Sequence, residues 1–248
     1  MAPENTLEAF TAGLAAGADR LELDVHASAD GHVVVFHDAT LDRTTDGMGL
    51  VRARTLAELK QLDAGIGFRS ADGGSPFRGR GVRIPTLEEL LAACPDAPLN
   101  IEIKQDDPPI ESAVLAVLDR HRARERTLLA AEEGSIMLRI RAAAPDVVTS
   151  FSAPEVADFI FRLRDGRLDD DYRPTGIALQ VPPSYEGTPI VTPESVIAAH
   201  ARGLEIHVWT INDPGEMDAL LDLGVDALMT DLPAVGADVL RRRGLRPT

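Results

Sequence analysis

The chain has 248 residues, of which 44% are hydrophobic, and it carries a formal net charge of −15 at pH 7. A surface this acidic repels the phosphate groups of nucleic acids and of anionic lipids, so the composition argues against both as partners. The single cysteine, Cys94, excludes an internal disulfide bond.

The sequence carries no signal for membrane insertion. No apolar run is long enough to span a bilayer, and residues 1–10 lack the basic and apolar regions of a signal peptide. We therefore predict a cytoplasmic protein with no stable membrane anchor. No feature of the sequence indicates its oligomeric state.

The first elements are a helix and two strands. Apolar side chains at helical spacing predict a helix over residues 6–16, and β-rich runs predict strands over 20–27 and 33–36. Too few residues separate the two strands for a helical crossover. Either they form an antiparallel hairpin at Asp30-Gly31, or a tight loop returns the chain; the sequence does not decide which.

Residues 41–83 interrupt the regular pattern, because glycines are frequent there. A short helix is predicted over 55–62, with Thr55 as N-cap and Glu58 three residues later. We interpret the stretch as an insertion on one rim of a barrel, near the functional site. The alternative is an irregular loop.

Strands and helices then alternate to the end of the chain. Strands are predicted at 99–104, 127–131, 147–151, 176–181, 204–211 and 225–230, and helices at 85–93, 110–122, 136–143, 154–163, 192–202, 214–223 and 233–242. This repetition predicts one α/β domain over residues 1–248, a distorted (β/α)₈ barrel rather than an open doubly wound sheet. No G-x-G-x-x-G or Walker-type loop supports a nucleotide-binding alternative.

Polar side chains gather at the ends of the early strands, where barrel enzymes place their chemistry. Glu22 and Asp24 lie two residues apart on one strand and so share a face, and Glu102 lies near the end of the strand predicted at 99–104. Three neighbouring carboxylates are costly to bury without a cation, so they are predicted to bind Ca²⁺ or Mg²⁺. The alternative is a set of salt bridges to Lys or Arg on the rim.

A cation at this position would attract an anionic substrate despite the negative net charge. Lys104 adds a positive charge for a phosphate oxygen, and His37 can transfer a proton near neutral pH. His26 shares the face of Glu22 and Asp24 but is interpreted as structural. His121, His200 and His207 are given no role.

Several motifs, in order along nearly the whole chain, resemble those of one known family. They are Ala2-Pro3-Glu4-Asn5-Thr6, Glu22-Leu23-Asp24-Val25, Asp30-Gly31, His37-Asp38, Leu41-Asp42-Arg43-Thr44-Thr45 with Gly47, Ile84-Pro85-Thr86-Leu87, Asn100-Ile101-Glu102-Ile103-Lys104, Val208-Trp209-Thr210-Ile211-Asn212 and Met229-Thr230-Asp231. The sequence resembles the glycerophosphodiester phosphodiesterases.

The resemblance implies metal-dependent hydrolysis of glycerophosphodiesters to an alcohol and sn-glycerol 3-phosphate. It implies that Glu22, Asp24 and Glu102 bind Ca²⁺ or Mg²⁺ and that Lys104 binds phosphate. It also implies that His37 is one of two catalytic histidines, and that Trp209 packs near the glycerol or alcohol group. Neither the alcohol nor the choice of metal can be inferred from the sequence.

One part of the family pattern is not found in the chain. The family's first strand ends in His-Arg-Gly shortly before the A-P-E-N-T segment, whereas here Met1 directly precedes Ala2-Pro3. We expect either a truncated start or a degenerate, non-catalytic member that binds metal or ligand, and weak hydrolysis by the chain as given. A different barrel enzyme acting on sugars or enolates would leave His37, Lys104 and Trp209 without an explanation.

Overall fold

The computed structural model describes residues 2–169 and 171–246. Its strands are β1 (Leu21–Ala27), β2 (Val33–Val35), β3 (Leu99–Ile103), β4 (Thr127–Ala130), β5 (Val148–Thr149), β6 (Ala178–Val181), β7 (Ser184–Tyr185), β8 (Thr188–Pro189), β9 (Glu205–Val208) and β10 (Ala227–Leu228). Its α-helices are α1 (Leu7–Ala16), α2 (Leu56–Leu59), α3 (Leu87–Ala93), α4 (Glu111–Arg120), α5 (Gly134–Ala143), α6 (Ala153–Arg164), α7 (Pro193–His200), α8 (Pro214–Leu223) and α9 (Pro233–Arg242).

The backbone divides into two compact units. The first unit comprises Met1–Ala15, Asp19–Leu129 and Arg139–Val147, and the second comprises Ala16–Ala18, Ala130–Leu138 and Val148–Thr248. No helix among the described residues combines the length and the apolar character that crossing a membrane requires.

The first unit is built on a sheet in which the strands follow the order β2-β1-β3-β4. β1 and β3 are parallel, and their register pairs Leu23 with Ile101 and Asp24 with Glu102. Because side chains alternate along each strand, one face carries apolar residues that are almost fully buried. They are Leu21, Leu23, Val25, Leu99, Ile101 and Ile103. The opposite face is left for polar side chains.

The link between β1 and β2 is an antiparallel hairpin, which decides the question that the sequence left open. The register pairs Val25 with Val35 and Ala27 with Val33. Ser28 organises the loop, since its Oγ donates to Asp30 Oδ1 at 2.7 Å and accepts from the His32 amide at 3.0 Å. Gly31 has φ +82°, a conformation that glycine adopts without strain.

Residues 41–83 pack on β2 and form a small apolar core with it. Leu41, Val51, Leu59 and other buried side chains of the stretch lie against Val34 and Phe36. Its α-helix, α2, has the predicted capping box of Thr55 and Glu58 but covers only Leu56–Leu59. That the stretch is an insertion into a single barrel domain remains a prediction.

The second unit has a sheet of order β10-β9-β6 and its own apolar core. β9 is shorter than the predicted 204–211 because its partner β6 stops at Val181. Pro182 and Pro183 follow, and proline has no N–H with which to continue a ladder. A short hairpin of β7 and β8, which the sequence analysis did not predict, comes next.

Candidate active site

Three carboxylates cluster on the polar face of β1 and β3. Glu22, Asp24 and Glu102 each present an oxygen, and these oxygens all lie within 4.8 Å of one another. The alternation of side chains along β1 and the pairing of Asp24 with Glu102 bring them together. At such distances two carboxylates repel by about 3–4 kcal/mol at an effective dielectric constant of ~20. The cluster therefore favours a bound cation.

Asp24 is held by Asn5. Its side chain is almost fully buried, and Oδ2 accepts a hydrogen bond from Asn5 Nδ2 at 2.9 Å. The side-chain oxygen of Asn5, Oδ1, accepts a hydrogen bond from the Asp24 backbone amide at 3.3 Å. Asn5 has φ +53°, which asparagine tolerates better than most residues. Asn5 therefore constrains both the backbone and the carboxylate of Asp24.

Lys104 supplies a positive charge beside the carboxylates. Its Nζ lies 2.8 Å from Glu102 Oε1 and 3.4 Å from Asp24 Oδ1. Burial alone would favour the neutral amine, but the attraction of Glu102 and Asp24 outweighs it and raises the pKa of Lys104. The lysine is therefore a fixed cation. These ion pairs are salt bridges of the kind considered as an alternative, but a single ammonium serves both Asp24 and Glu102.

The hairpin brings His37 to the level of the acidic cluster. β2 runs back along β1, and the amide of Phe36 donates to the Asp24 carbonyl at 2.9 Å. His37 follows directly, with a side chain that is half exposed. Its Nδ1 lies 2.6 Å from Asp38 Oδ1. His37 is thus available to solvent on one side and oriented by a carboxylate on the other.

Asp38 in turn is held by Arg43. The guanidinium donates from Nε to Oδ2 at 2.7 Å and from Nη2 to Oδ1 at 2.9 Å. These hydrogen bonds, together with the one from His37, lower the pKa of Asp38 to about 2 despite its partial burial. Asp38 is therefore a carboxylate at neutral pH and can only accept, so Nδ1 of His37 carries the hydrogen.

His26 lies beside the site but is engaged with the backbone. It is buried, and its Nε2 lies 3.1 Å from the His37 carbonyl oxygen. Since a carbonyl only accepts, Nε2 must donate. Burial lowers the pKa of His26, although the bond to His37 opposes the effect. The geometry agrees with the structural role expected for His26.

The remaining strand-end residues belong to the second unit. Trp209 follows β9, is 43% exposed, and donates its backbone N–H to the Val181 carbonyl at 3.1 Å. Asn212 links two chain segments, because its Nδ2 donates to Asp231 Oδ2 at 3.0 Å and its Oδ1 accepts from the Asp231 amide at 2.9 Å. His207 is buried and pairs with Glu205 at 2.8 Å. These contacts stabilise the backbone around Trp209.

Sequence reasoning did not identify Asn5, Glu4 or Arg43 as parts of the site. Glu4 contacts Arg43 at 2.6 Å. The partners are 19 residues apart for Asn5 and Asp24 and 39 apart for Glu4 and Arg43. The only signal was their presence in the A-P-E-N-T and L-D-R-T-T motifs.

Comparisons with known proteins agree with these features. The model of the glycerophosphoryl diester phosphodiesterase family matches residues 1–235. A glycerophosphodiester phosphodiesterase of Caldanaerobacter subterraneus subsp. tengcongensis is 33% identical, over 98% of this chain and 94% of the relative. One from Bacillus subtilis is 30% identical, over 93% of this chain and 80% of the relative.

Solved structures show the same fold. The glycerophosphoryl diester phosphodiesterase domain of an uncharacterized Mycobacterium tuberculosis protein matches with a TM-score of 0.82 and 26% identity, over 97% of this chain and 94% of that one. An Oleispira antarctica phosphodiesterase, solved with the product sn-glycerol-3-phosphate, matches with a TM-score of 0.79 and 28% identity, over 97% and 92%. These matches confirm the predicted α/β barrel class. The chain belongs to the glycerophosphoryl diester phosphodiesterase family.

Proposed function

We propose that this protein hydrolyses glycerophosphodiesters to an alcohol and sn-glycerol 3-phosphate with the help of a divalent cation. The observation that carries the proposal is the convergence of the three carboxylates, Lys104 and the His37–Asp38 pair along β1. The names of the relatives and the product bound by the Oleispira antarctica phosphodiesterase support the same reaction.

Glu22, Asp24 and Glu102 would hold the cation. Two oxygens that bind one Ca²⁺ are at most about 5 Å apart, whereas Mg²⁺ requires about 4.2 Å or less. The separations within 4.8 Å therefore fit Ca²⁺, and they fit Mg²⁺ where they are shorter than this limit. A bound cation supplies Lewis-acid attraction for a phosphate oxygen. Asn5 keeps Asp24 in place for this role.

His37 would move the proton that hydrolysis requires. Because Nδ1–H is engaged with Asp38, Nε2 carries the lone pair of the neutral ring. It can accept a proton from an attacking oxygen, and once protonated it can return one to the leaving alcohol. Asp38 stabilises the imidazolium in between.

Lys104 and Trp209 would contact the substrate. The Lys104 ammonium, which is 22% exposed, binds a phosphate oxygen and offsets the repulsion that a protein of net charge −15 exerts on an anion. Trp209 presents a partly exposed ring for the glycerol or alcohol group. We also propose a cytoplasmic location and a single barrel domain over residues 1–248, with residues 41–83 as the insertion.

The experiment is an assay of released sn-glycerol 3-phosphate with Ca²⁺ or Mg²⁺. Substrates are glycerophosphocholine, glycerophosphoethanolamine, glycerophosphoglycerol and a lysophospholipid. Both the chain from Met1 and a form preceded by a strand ending in His-Arg-Gly are tested.

His37→Asn should lower kcat by about 10²–10⁴-fold, the usual contribution of a positioned acid or base.

His32→Asn is the matched control, because His32 is an exposed histidine in the loop of the same hairpin. It should retain full activity. If neither form hydrolyses any of these diesters while cation binding persists, the proposal is wrong and a non-catalytic binding protein is supported. Full activity of His37→Asn would remove His37 from the mechanism.

A further inference from the structure

One guanidinium, that of Arg43, holds two carboxylates at the edge of the site. It donates to both oxygens of Asp38 at 2.7 and 2.9 Å. It also donates from Nη1 to Glu4 Oε2 at 2.7 Å and from Nη2 to Glu4 Oε1 at 2.6 Å. Both contacts are bidentate, and such pairs restrict the geometry more than a single point contact does.

The contribution of these ion pairs to the stability of the fold is too small to explain the arrangement. The Arg43 and Glu4 side chains are 51% and 46% exposed, and exposed ion pairs contribute about 0–1 kcal/mol. The geometry has a clearer consequence, because the Asp38 carboxylate that Arg43 holds also contacts His37. Its Oδ1 accepts from His37 Nδ1 at 2.6 Å.

Glu4 is fixed to the same framework as the acidic cluster. Thr6 caps α1, since its Oγ1 accepts from the Ala9 amide at 3.2 Å and donates to the Pro3 carbonyl at 2.7 Å. Asn5 bonds to Asp24 on β1. Glu4 directly precedes Asn5 in the chain. Its carboxylate therefore gives Arg43 a defined position relative to β1.

We propose that Arg43 and Glu4 are positioning residues that hold Asp38 in the orientation in which it accepts from Nδ1–H of His37 and leaves Nε2 open for proton transfer. The role rests on the proposed function of His37. Neither side chain needs to touch the substrate, because each acts through Asp38.

The test is ¹⁵N NMR of the His37 imidazole in the full chain at pH 8, which reports the tautomer without requiring activity. Spectra of the wild type should show mainly the Nδ1–H form. Arg43→Gln and Glu4→Gln should each produce a mixture of both neutral forms, with the larger change in Arg43→Gln. Arg43→Lys, which keeps the charge but not the planar fork, should resemble Arg43→Gln.

Glu88→Gln is the matched control. Glu88 pairs with Arg120 elsewhere in the first unit, and these side chains are 48% and 56% exposed, close to the values for Glu4 and Arg43. Its spectrum should equal that of the wild type. Circular dichroism confirms that each variant is folded, and Glu4→Gln, which changes only an exposed side chain, is the mildest of them.

In the hydrolysis assay, Arg43→Gln should lower kcat by about 10- to 100-fold, the range typical of residues that orient a functional group, with little change in KM.

Identical tautomers in the wild type and in both Gln variants would overturn the positioning role, even in an active enzyme. A wild-type tautomer in Arg43→Lys would overturn the geometric argument. Lack of hydrolysis by the wild type would instead count against the proposed function, and the spectra would still decide the positioning.

Discussion

Asp24 is the residue on which the contacts of the acidic cluster converge. It is 4% exposed, accepts from Asn5, lies beside Lys104 and is paired in register with Glu102. A carboxylate buried this far requires partners, because desolvation of a charge is costly. The neighbours of Asp24 therefore determine whether it is available to a cation, and two of them can be tested separately.

Replacing Glu102 by Gln should weaken the binding of Ca²⁺ and Mg²⁺ by more than about tenfold, because ligand charge sets the affinity of oxygen sites for hard cations. Isothermal titration calorimetry of the wild type and the variant measures this. Glu88→Gln removes an equal charge outside the cluster and should leave the affinity almost unchanged. Equal affinity of Glu102→Gln and the wild type would exclude Glu102 from the site.

Asn5→Gly should also weaken cation binding, by less than Glu102→Gln does. Glycine tolerates the φ of +53° at this position, so the variant removes the amide group without straining the backbone. Asp24 then loses its hydrogen bond from Asn5 Nδ2 and becomes less ordered. The same calorimetric titration applies, and an unchanged affinity would show that Asn5 does not support Asp24.

Asp38 should make the first unit sensitive to acid. Hydrogen bonds from Arg43 are the main reason that its pKa falls from 3.8 to about 2. A carboxyl group with a depressed folded-state pKa stabilises the fold above its unfolded pKa, and this contribution is lost as the pH falls from 3.8 towards 2. A shift of this size corresponds to about 2 kcal/mol at most, and solvent screening reduces it to about 1 kcal/mol.

Urea unfolding at pH 5 and at pH 2.5 measures this contribution. Between the two pH values, the free energy of unfolding of the wild type should fall by about 1 kcal/mol more than that of Asp38→Asn, since Asn cannot titrate. Equal losses in both proteins would contradict the depressed pKa of Asp38.

Among the elements, the β1–β2 hairpin has the largest effect on the site. Its antiparallel register returns the chain beside Asp24 and places His37 and Asp38 there. The loop depends on Gly31, whose φ is +82°. A different turn length would shift the register and turn the side chains of β2 to the other face.

Gly31→Ala should destabilise the protein by about 1 kcal/mol, because an L-residue is strained at positive φ even where a Cβ meets no atom within 4 Å. Gly13→Ala is a control with equally open surroundings but within α1. There the substitution should stabilise by about 0.5–1 kcal/mol, since alanine favours a helix more than glycine. Chemical denaturation measures the free energy of unfolding of both variants and of the wild type. If both substitutions changed it in the same direction, the explanation would be contradicted.

For the whole molecule, the net charge of −15 opposes the binding of an anionic substrate. Lys104 and a cation act only locally, whereas the repulsion comes from the entire surface. Long-range repulsion is screened by salt more strongly than close contacts are. A higher ionic strength should therefore increase the affinity for an anionic substrate and should change the affinity for a substrate without net charge less.

Raising NaCl from about 10 mM to about 150 mM should lower KM for glycerophosphoglycerol, which is an anion, because the Debye length falls to roughly 8 Å. Glycerophosphocholine is the control: as a zwitterion with no net charge, it should be affected less. Steady-state kinetics at constant cation concentration measures both. A higher KM for the anion at high salt would show that local attraction dominates.

The sequence alone determined those features that depend on near neighbours in the chain. Thr55 with Glu58 predicts the capping box at α2, which the structure contains, because its hydrogen bonds span only three residues. Glu22 and Asp24 were expected on one face of a strand, since side chains alternate with a period of two. The alternation of strands and helices predicted the barrel class, which the comparisons confirm, and the strand-end positions grouped Glu102 with Glu22 and Asp24.

Tertiary structure alone decided the contacts between distant segments. The direction of β2 depends on its pairing with β1, and the end of β9 depends on where β6 meets Pro182. The contacts of Asn5 with Asp24 and of Glu4 with Arg43 join residues 19 and 39 positions apart. No local propensity encodes such contacts, because they form only when packing brings the segments together, and they determine how the residues of the site are oriented.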